Sequence, residues 1–156
     1  MIAPVSSPLT PHDGRFDGPL HHFAVRVYYE DTDLSGIVYH ANYLRWFERA
    51  RSDMLRVLKI DQRAAIEAGE GAYAVADLAI RYARPAKLDD DILIESSCTK
   101  LRAASVGMHQ CALRGGQLLA EARLRIGFVS PGGRPRRQPE AWRNAFSQVL
   151  VMKDEE

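Results

Sequence analysis

Tyr28–Arg51 reads YYEDTDLSGIVYHANYLRWFERAR, and its reading decides the fold. A polar loop carrying Asp31, Asp33 and His40, hinged at Ser35-Gly36, runs directly into an amphipathic segment. From about Ala41, apolar residues recur every three to four positions: Leu44, Phe47, Ala50 (or Arg51), Met54 (or Leu55) and Leu58. Arg45, Glu48, Arg49, Ser52, Asp53 and Arg56 fall mostly between them. That period predicts a helix of about four turns with one buried face. Upstream, Phe23, Val25, Val27 and Tyr29 alternate with Ala24, Arg26 and Tyr28. A period of two predicts a strand and puts Tyr29 on its apolar face, just ahead of the carboxylates.

Downstream, Asp61 is suited to cap a short second helix closed by Gly69. Four strand patterns follow. The first has Ala74, Ala76, Leu78, Ile80 and Tyr82 on one face, and Arg84-Pro85 ends it. The second runs from Ile92 to about Leu101, and the third from Ser105 to Leu113, turning at Gly115-Gly116. The fourth carries Leu118, Ala120, Ala122, Leu124, Ile126 and Phe128 against Glu121, Arg123 and Arg125. A loop, SPGGRPRRQP, leads to a short helix over Glu140–Leu150. Strand, long helix, then strands with short connections is an α+β order. One apolar sheet face and one apolar helix stripe are both satisfied if an antiparallel sheet wraps the helix.

The chain has 156 residues and a net charge of +1, which favours one domain and argues against a nucleic-acid or anionic-membrane footprint. No apolar run reaches the roughly 18 residues of a spanning helix. Residues 1–20, with Pro4, Pro8, Pro11, Gly14 and Gly18, read as a flexible tail without the pattern of a signal peptide. A single domain is expected over 21–152. His12, His21 and His22 read as tail residues rather than metal ligands. Cys98 and Cys111 read as buried free thiols, which fits a reducing cytoplasm.

Asp33 lies seven residues before His40, with Gly36 between them, and the helix starts beside His40. The first amides of a helix have no partner inside it and carry partial positive charge. Such a site suits a carbonyl oxygen that turns negative during reaction. A nearby carboxylate can attack that carbonyl or activate water against it. Acyl-transfer hydrolysis needs these parts and no metal. Taken singly, Asp33 also fits a loop or cap, Asp31 and Asn42 a turn, His40 a hydrogen-bonded structural role and Tyr29 core packing. A calcium loop is disfavoured: Asp31, Asp33, Ser35 and Gly36 match its early positions, but Asn42 stands where the bidentate glutamate belongs and a strand precedes it. No nucleophilic-serine elbow or phosphate-binding glycine loop occurs.

The run RVYYEDTDLSGIVYHANYLRWFERAR, supported by IRYARPAKLDDDILIES, resembles the hot-dog-fold acyl-CoA thioesterases. Within them it is most similar to the Tol-Pal-associated, YbgC-type branch, related to the 4-hydroxybenzoyl-CoA thioesterases. The resemblance covers about Phe23 to Ala141. It implies a hot-dog fold and sites at subunit interfaces of a homodimer or homotetramer. The implied reaction cleaves an acyl-CoA or acyl-carrier-protein thioester to a free acid and thiol, without a cofactor. It implies Asp33 as nucleophile or general base, His40 as its aid through ring and backbone amide, and Tyr29 as a residue orienting Asp33. Among the cations Lys100, Arg102, Arg134, Arg136 and Arg137, it points to Arg102, Arg134 and Arg136 as contacts for coenzyme A phosphates. Short aliphatic acyl groups are the expected substrates. The alternative is an acyl- or partner-binding hot-dog protein tied to the Tol-Pal envelope system, with little or no catalysis.

Overall fold

The computed structural model describes residues 8–151. The outermost parts of the expected tail and the expected domain end at 152 lie outside those residues. Six antiparallel strands form one sheet in the order β1-β2-β4-β5-β6-β3. The strands are β1 (Arg15–Asp17), β2 (Leu20–Arg26), β3 (Ala72–Tyr82), β4 (Asp91–Leu101), β5 (Ser105–Arg114) and β6 (Gln117–Val129). Three helices accompany them: α1 (Asn42–Val57), α2 (Gln62–Glu67) and α3 (Glu140–Gln148).

α1 is the expected central helix, but its buried stripe is turned from the expected one. Tyr43, Trp46, Phe47, Ala50, Met54 and Leu55 are buried, whereas Leu44 is exposed and Asp53 is buried. The larger aromatic surfaces of Trp46 and Phe47 outweigh Leu44; burying each large apolar side chain stabilises by about 1.5–3 kcal/mol. They pack against Ile92, Ile94, Val106, Met108, Ala122 and Leu124 on the sheet's inner face. Asp61 caps α2 by accepting from the Ala64 amide at 3.0 Å, as its position predicts.

Two bulges correct the strand faces. In β6 the register slips opposite Ala112/Leu113, so Leu119 turns inward beside Ala120. In β3 it slips between Val75 and Asp77, so Tyr73 joins Leu78 and Ile80 against the core. β3 is an edge strand, with Val75 and Tyr82 exposed.

The tail boundary at residue 20 also needs correction. Residues 15–26 form a hairpin that extends the sheet, with Arg15 paired to His22 and Asp17 to Leu20. His21 is a buried β2 residue, not a tail residue: its Nε2 lies 2.7 Å from Asp53 Oδ2 on α1. The same carboxylate oxygen accepts from the Gly14 amide at 2.9 Å. His22 Nε2 pairs with Glu95 at 3.0 Å. This hairpin is anchored by a buried polar clasp, which a search for apolar periodicity passes over.

Candidate active site

The loop between β2 and α1 is built by its own polar residues. The strand stops at Arg26; Val27 is buried, and Tyr29–Asp31 form one turn of 3₁₀ helix. Asp31 makes that turn, because its Oδ2 accepts from the Tyr28 amide at 2.8 Å. Its Oδ1 accepts from Asn42 Nδ2 at 2.7 Å, which staples the loop to the first residue of α1. Thr32 and Val38 then form an antiparallel bridge around a turn, where the Gly36 amide donates to Asp33 O at 3.0 Å. Gly36 has φ 83°, a left-handed conformation that costs glycine little. The Val38 amide donates to Ala86 O at 2.9 Å, fixing the loop to the segment between β3 and β4.

Asp33 sits in that turn, exposed, and accepts from both the amide (2.8 Å) and the hydroxyl of Ser35. These bonds, the hydroxyl first, hold its carboxyl below the usual carboxylate range; the charge of His40 adds the smallest contribution. Asp33 is therefore an anion at neutral pH, as a base or nucleophile must be. His40 precedes Ala41, the N-cap of α1. Its ring lies 4.5 Å from that of Tyr39 and edge-on to Tyr82 at 6.2 Å. No side chain caps α1. The Asn42 and Leu44 amides turn back to Tyr39 O and Ala41 O, and those of His40, Ala41 and Tyr43 have no backbone acceptor among the described residues. The loop thus brings an ionised carboxylate, an imidazole and free helix-start amides to one end of the sheet.

Tyr82 is the residue that sequence reasoning missed. Its hydroxyl donates to His40 O at 2.7 Å, and burial raises its pKa, so it keeps the proton it donates. Its place at the end of β3 marked it only as an apolar-face residue. Tyr29 differs from expectation. It is 83% exposed rather than packed on a strand face, because Asp31 has already turned the chain. Both hydrogen bonds to the Asp33 side chain come from Ser35, not from Tyr29.

The expected phosphate contacts gather at the opposite end. Gln138, buried, donates to Arg102 O at 2.8 Å and to Ser105 O at 3.3 Å. It thereby ties the turn bearing Arg102 to the loop bearing Arg134 and Arg136. Arg136 Nη1 donates to Glu70 O at 2.6 Å, beside the start of β3. Arg26 pairs with Asp91 at the loop end of β4, while Arg102 follows its other end. At about 3.3 Å per residue, the strand separates the two groups by roughly 30 Å. A cavity of about 290 Å³ lies between the middle of α1 and Tyr73–Val75 of β3; Asp33 and His40 do not line it.

Among the described residues no group of three or more His, Cys, Asp or Glu is placed to hold a metal. Burial pushes the thiols of Cys98 and Cys111 up to about 11, with Glu121 and Glu95 adding to the effect at Cys111, so both stay protonated. No helix of the described residues is long and apolar enough to cross a membrane.

Residues 27–150 match the model of the thioesterase-like superfamily. The chain belongs to that superfamily. It is 42% identical over 110 residues to an acyl-CoA thioesterase YbgC of Haemophilus influenzae, covering 70% of this chain and 81% of that one. It is 38% identical over 131 residues to an acyl-CoA thioester hydrolase YbgC of Escherichia coli, covering 83% and 97%. A solved probable thioesterase from Bartonella henselae superposes with a TM-score of 0.73 at 36% identity, covering 77% of this chain and 99% of that one. A 1,4-dihydroxy-2-naphthoyl-CoA thioesterase from Synechocystis superposes at 0.77, covering 82% and 96%; at 23% identity it speaks for the fold alone. The superfamily's fold is the hot-dog fold, a sheet wrapped around one helix.

Proposed function

We propose that this superfamily member hydrolyses acyl-CoA thioesters, releasing a carboxylic acid and coenzyme A. The observation that carries the proposal is the ionised Asp33 carboxylate, near enough to feel the His40 charge, in the loop that runs into the uncapped start of α1. The thioester carbonyl oxygen sits against the free amides near His40, which stabilise the negative charge that develops on it. Asp33 attacks the carbonyl carbon or removes a proton from the water that does. His40 helps to position that water or carboxylate, and Tyr82 holds the His40 backbone in place. Tyr29 is assigned to the mouth of the site, where its exposed ring meets substrate or a second subunit.

The phosphates are held by Arg102, Arg134 and Arg136 of a second copy. β3 is an unpaired edge of 11 residues, the kind of edge that adds another strand. Its Tyr82 end touches His40, and its Ala72 end adjoins Glu70, which Arg136 binds. Pairing two β3 strands antiparallel about a two-fold axis lays the Tyr82 end of one against the Ala72 end of the other. Asp33 of one copy then faces the arginines of the next, and a homodimer, alone or within a tetramer, carries two equivalent sites. The cavity is small for a ligand pocket, which favours short aliphatic acyl groups. Two protonated free thiols favour a cytoplasmic setting.

A panel of CoA and carrier-protein thioesters tests the reading. The expected result is turnover of short-chain acyl-CoA that falls at least about 100-fold in Asp33→Asn, which removes the charge at constant size. Tight binding with negligible turnover across the panel would instead support a non-catalytic acyl- or partner-binding protein.

A further inference from the structure

The cavity beside the free edge of β3 is not a plain apolar slot. Met54, Val106, Met108, Ile126 and Phe146 on its walls are all buried. α1 brings the Arg51 side chain to the same cavity, together with Glu48 and Ser52. Arg51 Nη1 donates to Gln110 Oε1 at 3.0 Å. Gln110 is itself fully buried, and its Nε2 donates to Phe47 O and to Ser96 Oγ, each at 2.9 Å. The amide is thereby locked with its oxygen toward Arg51, and the guanidinium is held in one orientation.

No carboxylate lies within ion-pair distance of Arg51 among the described residues. Its Nε and Nη2 donate to nothing there, and neither is fully buried. Glu48, three residues earlier and exposed on the same cavity, makes no ion pair with Arg51, and its charge offsets the effect of burial only in part. Burial lowers the Arg51 pKa, but a guanidinium starts so far above neutrality that it stays charged. A half-buried cation with apolar walls, a fixed fork and free donors is unfavourable alone and strongly favourable beside an acceptor oxygen.

We propose that Arg51 is a specificity-determining residue: the cavity takes the acyl group, and Arg51 holds a carboxylate at its far end. Acyl groups that end in a carboxylate are then preferred over alkyl chains of equal length. This rests on the edge-paired thioesterase reading, which sets the cavity by Tyr73–Val75 beside Asp33 of the second copy. The acyl chain enters between the two β3 strands and runs inward along α1 toward Arg51.

Two CoA thioethers that cannot be hydrolysed test it, each with a six-carbon chain, one ending in methyl and one in carboxylate. Their binding to the full chain is measured by calorimetry. The carboxylate analogue is expected to bind at least about tenfold more tightly. Arg51→Met should remove that advantage while leaving the methyl analogue within about threefold of wild type. Equal or weaker binding of the carboxylate analogue to the wild type overturns the proposal, as does an advantage that survives Arg51→Met. The wild-type comparison decides by itself if the variant does not fold. Because turnover is not measured, a carboxylate preference without hydrolysis on the thioester panel would sink the hydrolase reading alone, and equal binding with hydrolysis would sink this one alone.

Discussion

Asp33 is held as an anion by a neighbour two residues along, Ser35, more than by the histidine seven residues along. A carboxyl pulled below its usual range stays ionised as the pH falls, so activity that needs the anion persists to low pH. Ser35→Ala removes the hydroxyl donor and lets the Asp33 pKa rise toward its ordinary value. The acid limb of kcat/KM should then move to higher pH, with little change near pH 7. An unmoved limb in the pH–rate profile would show that Asp33 is not the titrating group. The turn that carries Asp33 and the helix start that follows His40 were legible in the sequence because both are set locally. Tyr82 was not, since it reaches His40 from 42 residues away. Tyr29 was misread because the period of two ran through it, whereas the Asp31 carboxylate had already turned the chain.

At the scale of elements, the apolar period located α1 and most strands, but it could not see the N-terminal hairpin. That hairpin is fastened by His21, Asp53 and the Gly14 amide, all polar groups in a buried place. Removing the carboxylate leaves the buried His21 ring and the Gly14 amide without their acceptor, so Asp53→Ala should cost about 1–3 kcal/mol in a denaturation experiment. pH should act on the same clasp. Burial lowers the His21 pKa below 6.5, outweighing the hydrogen bond to Asp53 that raises it. The unfolded chain therefore binds a proton first as the pH drops through about 6.5, and stability present above that value is lost below it. The melting temperature should fall between about pH 7.5 and pH 5.5, and fall less in His21→Gln. An equal drop in both proteins would place the sensitivity elsewhere. The bulges in β3 and β6 were equally hidden, because a slip of one residue is set by cross-strand packing and not by either strand's own pattern.

For the whole molecule, a chain of 17.5 kDa carries its candidate carboxylate and its candidate phosphate contacts at opposite ends of one sheet. The sheet order was not legible in the sequence: β3 leaves its neighbours in sequence to pair with β6, and only that crossover reveals a free edge next to both groups. Edge pairing of two copies resolves the separation and predicts a particle of at least twice the chain mass by light scattering. It also predicts that no single copy owns a complete site. Two inactive proteins can be mixed to test this, Asp33→Asn and the triple charge reversal Arg102→Glu, Arg134→Glu, Arg136→Glu, after gentle dissociation and reassociation. In a mixed dimer one site combines an intact Asp33 with intact arginines from the other chain. With sites shared across the β3 edge, acyl-CoA hydrolysis returns, toward about half the wild-type kcat/KM per mixed dimer. Mixed dimers that form yet stay as inactive as their parents would contradict that sharing.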